Sequence, residues 1–264
     1  MRRLGWLLGI LLLTACERRP AAPADQTLTV HAAASLRNAF QTIARDFERA
    51  RPGVRITLNT AGSNQLRLQL EQGAPGDVFA SADSVQMDAA IASGLCDRAD
   101  ARVFAHNTLV IITPAHGARA IERFADLAHP DRRLLIAEPA VPVGRYTERL
   151  LDTAGGHALF GPDFVARVRA NVASREHSVA AIVAKIRLAE ADAGLAYASD
   201  ATGLAADELR VIALPDDLAQ RADYLIAPVT RSTQPDLARA FVAFVLRNAR
   251  GTLRDAGFST PTSP

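Results

Sequence analysis

The stretch Ala32-Ala33-Ala34-Ser35-Leu36 lies where the run Leu28 to Ala32, with Leu28, Val30 and Ala32 alternating with Thr29 and His31, gives way to the spacing Leu36, Phe40, Ile43 and Phe47. The first reads as a short strand and the second as the buried face of a helix, and a strand feeding directly into a helix is the unit of an α/β protein. Ser35 stands at the junction, in the N-cap position. A helix N-terminus leaves backbone N–H groups unpaired and carries a partial positive charge, so it holds an anion without Lys or Arg. The small Ala32, Ala33 and Ala34 allow a ligand close to the backbone. The same arrangement is expected at Ser63, Val143 and Val179. One such turn is ordinary capping, whereas four predict a site built by convergence.

Outward from this stretch, strands and helices alternate. Val54, Ile56 and Leu58 alternate with Arg55, Thr57 and Asn59 as a half-buried strand. The turn Thr60-Ala61-Gly62-Ser63 leads to a helix with Leu66 and Leu70 that stops at Gly73. Asp77 to Ala80 is a short strand running into Ser81-Ala82-Asp83, and a helix follows from Val85 to Ser93. Leu109 to Ile112 is uninterruptedly apolar, as a central strand buried on both faces should be. Leu134 to Ala137 is another strand, and helices are expected over Gly144–Thr153 and Phe164–Arg169. Val179, Ile182, Val183 and Ile186 give a helical stripe, and strands are expected over Gly194–Tyr197, Leu209–Leu214 and Tyr224–Val229. Pro235 to Asn248 is the last helix, with Leu237, Phe241, Phe244 and Val245 inward. No internal repeat is evident.

The N-terminus differs in kind. Arg2 and Arg3 precede an apolar run from Leu4 to Ala15, about 12 residues where a bilayer span needs about 20. A basic start, an apolar middle and small residues before a cut site read as an export signal. Leu13-Thr14-Ala15-Cys16 resembles the bacterial lipobox, which implies a signal peptide over 1–15 and a lipid on Cys16; an ordinary signal with an incidental Cys is the alternative. Residues 16–25 then form a polar tether containing Pro and Ala. Removal of the leader takes Arg2 and Arg3 from the 30 Lys and Arg, which then match the 28 Asp and Glu. A neutral mature chain without a basic tract excludes nucleic acid as an expected partner. Cys96 is left without an intrachain partner and reads as a small buried hydrophobe.

Nothing in the spacing announces catalysis. His31, His106, His116, His129, His157 and His177 are scattered, and there is no HExxH, G-x-S-x-G, P-loop or G-x-G-x-x-G. No catalytic residue, resident metal or cofactor is expected, and a binding protein is favoured over a hydrolase.

Four blocks carry a resemblance: AAASLRNAF, AGSNQLRLQLEQGAPGDVFASAD, VPVGRY and EADAGLAYASDA. Together and in this order, from about Leu28 to Phe258, they resemble the substrate-binding component of molybdate ABC transporters. The resemblance implies a type II periplasmic binding-protein fold, in which two α/β lobes joined by two crossing segments close on an anion. It implies lobe 1 from 26–105 and 223–264, lobe 2 from 106–222, and a monomer. It also implies oxyanion contacts from the hydroxyls and N–H groups of Ser35 and Ser63, the N–H groups of Val143 and Val179, and the phenol of Tyr197. The ligand would be molybdate, with tungstate alongside it, so that the only metal is the centre of the bound oxyanion. The partners would be a permease and an ATPase, with the membrane touched through lipid alone. The alternative is another tetrahedral oxyanion such as sulfate; phosphate, when protonated, needs an acceptor that none of the five positions offers. Each residue also has a plain reading: Ser35 and Ser63 as N-caps worth about 1 kcal/mol, Tyr197 as a core aromatic. The chain departs from the family at Val143, where Ala is usual, and at Leu225, where Pro is usual.

Overall fold

The computed structural model describes residues 26–116, 121–203 and 208–261. The leader, Cys16 and the tether lie outside the described residues. The chain runs β1 (Gln26–Ala33), a 3-10 turn (Ala34–Leu36), α1 (Arg37–Ala50), β2 (Val54–Ala61), α2 (Ser63–Glu71), β3 (Val78–Ser81), α3 (Ser84–Ala92) and β4 (Arg102–Pro114). It continues with β5 (Leu134–Ala137), α4 (Pro142–Gly155), α5 (Phe164–Ala170), β6 (Val172–Glu176), α6 (Val179–Arg187), β7 (Ala193–Tyr197) and α7 (Ala198–Ala201). Last come β8 (Leu209–Ala213), β9 (Arg221–Pro228), α8 (Pro235–Asn248) and α9 (Arg250–Asp255).

The sheet has two halves built on one plan. In the first, β1 pairs in parallel with β2 and β3, and β3 pairs antiparallel with β9, which pairs with the start of β4. In the second, β5 pairs in parallel with β6 and β7, and β7 pairs antiparallel with the end of β4, which also carries β8. Thus β4 serves both halves. Residues Arg102 to Thr108 pair with β9, and Leu109 to Pro114 pair with β7 and β8. The apolar run 109–112 is buried, as its sequence predicts, but the strand begins seven residues earlier, in a mixed stretch with a register shift between Val103 and Ala105.

Helices close both halves. On α1, Ala39, Phe40, Ile43, Ala44 and Phe47 are buried; Phe40 and Phe47 meet Phe241 of α8 edge-on, at centroid distances of 6.3 and 5.2 Å. Such pairs add about 0.5–1.5 kcal/mol each to the area they bury. Cys96 is buried, and desolvation pushes its thiol up to about 12, which keeps it protonated. No helix among the described residues is long and apolar enough to cross a membrane.

Candidate functional site

In a parallel sheet, ligands gather beyond the carboxyl ends of the strands. Each half offers three such ends, and the five singled-out residues occupy five of the six. Ser35 follows β1, Ser63 follows β2, Val143 follows β5, Val179 follows β6, and Tyr197 ends β7. The sixth position, after β3, holds Asp83.

Contacts bring these loops together. The Ser35 hydroxyl lies 2.8 Å from the phenol oxygen of Tyr224, and the Tyr224 ring lies 5.8 Å from that of Tyr197. A Cβ on Gly62, beside Ser63, would sit 2.9 Å from the carbonyl oxygen of His177, two residues before Val179. Arg145, two residues after Val143, donates from Nε to Asp83 Oδ2 at 2.9 Å. A hollow of about 200 Å³ between the Ser35 turn and α6 is lined by Ser35, Arg37, Ala180, Val183 and Asp200, among others.

Ser35 is not an N-cap. Ala33 precedes the 3-10 turn with extended backbone, no side chain caps the turn, and α1 starts only at Arg37. A capping side chain must sit on the last non-helical residue, and Ser35 is already inside the turn. Ser63 likewise is the first helical residue after Gly62 rather than the cap, and its hydroxyl accepts the N–H of Ala82 at 3.0 Å. The side chains that do cap are Asp83, accepting from Gln86 N at 2.9 Å, and Ser178, accepting from Ala181 N at 3.3 Å. Neither Ser35 nor Ser63 is therefore spent on its own helix. Ser63, accepting from Ala82, keeps its own proton to donate.

Val143 is the second residue of α4, after Pro142, and Val179 is the first of α6. At both positions an α-helix has no internal acceptor for the amide. The Val143 side chain is 1% exposed and packs in the main apolar core. Helix α4 starts two residues earlier than its apolar pattern suggests because Pro is pre-shaped for a first helical position.

Tyr197 is 1% exposed, and its phenol oxygen is buried without a hydrogen-bond partner. Burial first, then Tyr224, Tyr146, Asp83 and Asp200 nearby, hold its pKa well above the usual tyrosine value. It therefore stays protonated, a donor with nothing to donate to. Buried hydroxyls are nearly always paired, so an orphan calls for an acceptor.

Tyr224 escaped the sequence reading, which took it only as the first residue of a strand. It is fully buried; Asn107 Nδ2 donates to its oxygen at 3.3 Å, and burial first holds its pKa far up. A phenol that accepts from Asn107 can donate to Ser35, which turns the Ser35 proton outward. A Tyr at the head of an expected strand was the only signal, and its partner lies 189 residues away. Asp83 and Arg145 were also missed, although Asp83 three residues before Gln86 at a helix start is a legible cap. Asp200 accepts the Tyr197 N–H at 3.0 Å, and burial pushes its carboxyl up to about 7 against the pull of that bond.

Residues 28–259 match the family of bacterial extracellular solute-binding proteins. The molybdate-binding protein ModA of Mycobacterium tuberculosis is 39% identical over 245 residues, covering 92% of this chain and 88% of that protein. The periplasmic molybdate-binding protein of Azotobacter vinelandii superposes with a TM-score of 0.76 at 18% identity, covering 89% of this chain and all of that one. The sulfate-binding protein SubI of Mycobacterium tuberculosis superposes at 0.80, also with 18% identity, covering 90% and 88%. At such identities the two superpositions speak for the fold alone.

Proposed function

The chain belongs to the family of bacterial extracellular solute-binding proteins, and from that premise we propose that it is the receptor of an ABC importer, capturing molybdate and also tungstate between the two halves of its sheet. The observation that carries the reading is the Tyr197 phenol, buried, protonated and without an acceptor. A tetrahedral dianion supplies one. Ser35 and Ser63 donate from hydroxyl and amide, Val143 and Val179 from amides, and Tyr197 from its phenol. All five are neutral, and hydrogen bonds to a charged acceptor are about twice as strong as neutral ones. A buried cation among them would add attraction but would itself need desolvating, and would slow delivery to the permease. Sulfate, being smaller, leaves some of these donors out of reach, and unmet N–H groups in a closed cleft are costly.

The lobes of the receptor correspond to 26–105 with 223–264 and to 106–222, meeting at β4 and β9. The protein works as a monomer, exported and tethered by lipid on Cys16 outside the cytoplasmic membrane, with permease and ATPase as partners. Mass spectrometry of the processed protein should find a diacylated Cys16 as first residue; an unmodified one refutes the anchor. Calorimetric titration of residues 17–264 with molybdate, tungstate, sulfate and phosphate tests the ligand. Molybdate and tungstate should bind much more tightly than sulfate, and equal affinity for sulfate and molybdate would replace this reading with a general oxyanion receptor.

A further inference from the structure

We propose that Asp83 and Arg145 form a clasp across the cleft, closing the two halves over the oxyanion and holding the first turn of α4, with its Val143 N–H, against the ligand; the inference rests on the receptor reading above. The two residues are 62 apart in sequence and belong to opposite halves. Arg145 Nε donates to Asp83 Oδ2 at 2.9 Å, and Nη2 donates to the carbonyl of Ala140 at 3.3 Å. The other Asp83 oxygen caps α3 at Gln86 N, and the Gln86 amide reaches the same Ala140 carbonyl at 3.5 Å. The start of α3 is thus stitched to the loop and first turn that present Val143.

Two physical consequences give the pair a role beyond packing. The Asp83 side chain is 2% exposed and that of Arg145 is 24% exposed. A buried carboxylate that loses its cation is strongly unfavourable, whereas one replaced along with its partner is not. The pair forms only when the halves meet, so it favours the closed state, and a contact shifts a conformational equilibrium only by such a difference. Asp83 also lies close enough to Tyr197 to act on its phenol. Left bare, its charge would repel the dianion that the phenol is to hold; Arg145 offsets it.

The test is a double-mutant cycle with molybdate as the probe, read by titration calorimetry and stopped-flow release. Arg145→Met should weaken binding about tenfold or more, mainly through faster release, because it strands the Asp83 charge. Asp83→Asn keeps a capping oxygen, removes that charge, and should cost less. The double variant should bind about as well as Asp83→Asn alone, which a merely structural Arg145 would not produce. Losses that multiply in the double variant, or an Arg145→Met protein with unchanged affinity, would overturn the clasp. Should Arg145→Met fail to fold, Arg145→Lys, which cannot reach Asp83 and Ala140 together, replaces it with the same expected sign. A wild-type chain that takes up no oxyanion would overturn the receptor reading instead. The clasp then stands or falls on small-angle scattering without ligand, where Arg145→Met should be more extended than wild type and equal dimensions would refute it.

Discussion

Ser63 and Tyr197 are both buried hydroxyls, yet the protein uses them differently. Ser63 satisfies the Ala82 N–H, so Ser63→Ala should lose about 1–3 kcal/mol of stability, the range for a stranded buried donor, as well as oxyanion affinity. Tyr197 satisfies nothing. Tyr197→Phe should leave the ligand-free protein at least as stable while weakening molybdate by about 1.5–3 kcal/mol, the range for a hydrogen bond to a charged group. Thermal unfolding without ligand, paired with calorimetry, separates the two, and a Tyr197→Phe protein that binds as wild type refutes the assignment. Asp200 gives a pH signature. Its carboxyl titrates near 3.8 when solvated and at about 7 in the fold, so the folded state prefers it protonated. The stabilising preference is complete below 3.8 and is lost as pH rises to about 7. Asp200→Asn keeps an acceptor for Tyr197 N without the charge. Denaturant midpoints at pH 5 and pH 8 should show wild type losing stability relative to Asp200→Asn at the higher pH; parallel behaviour refutes it.

Among the elements, the start of α4 is tightly constrained by backbone. A Cβ on Gly144 would lie 2.1 Å from the carbonyl oxygen of Glu138 and 2.7 Å from that of Ala137. These are backbone atoms at the end of β5, which cannot swing aside as a long side chain would. Gly144→Ala should therefore push the first turn of α4 off the strand and carry the Val143 N–H with it. Stability should fall by about 1–3 kcal/mol, as for an overpacked core position, and molybdate affinity by tenfold or more; a variant with native unfolding and native affinity contradicts this. This constraint was legible only in part. Val141-Pro142-Val143-Gly144 announces a helix start, but why the fourth residue lacks a side chain depends on how closely α4 docks on β5. The short β6 was absent from the sequence reading for a related reason. Its Val172, Ser174 and Glu176 alternate with Ala173 and Arg175, too polar a pattern to stand out, and its pairing with β5 decides it.

At the scale of the molecule, closure is the property under test. Gly62 has ordinary extended backbone, φ −59° and ψ 138°, so Ala fits its conformation. Its Cβ would nevertheless stand 2.9 Å from His177 O in the other half and 2.8 Å from Asn64 Oδ1. Gly62→Ala should fold with near-native stability but wedge the halves apart. Small-angle scattering with saturating molybdate should show a less compact protein than wild type, and calorimetry should show weaker binding. Full compaction with native affinity would mean that the halves do not meet at Gly62 in the bound state. Sulfate on the wild type should leave the same incomplete closure, since the proposed site leaves some of its donors out of reach of the smaller anion.

By itself the sequence determined what is set within a few residues. The alternation of strands and helices, the buried run 109–112, the last helix from Pro235 to Asn248 and the small-residue turns at helix starts all rest on local periodicity and backbone preference. Those turns also located four of the six loops that meet between the halves; Tyr197, at the fifth, came from the family resemblance. Tertiary structure alone decided which hydroxyls remain available. Ser35 proved to lean on Tyr224, Ser63 on Ala82, and Tyr197 on nothing. It decided too that Asp83 meets Arg145 across the cleft. A hydrogen bond or ion pair between distant segments leaves no periodic trace, because its geometry comes from how the two sheet halves fold about β4 and β9.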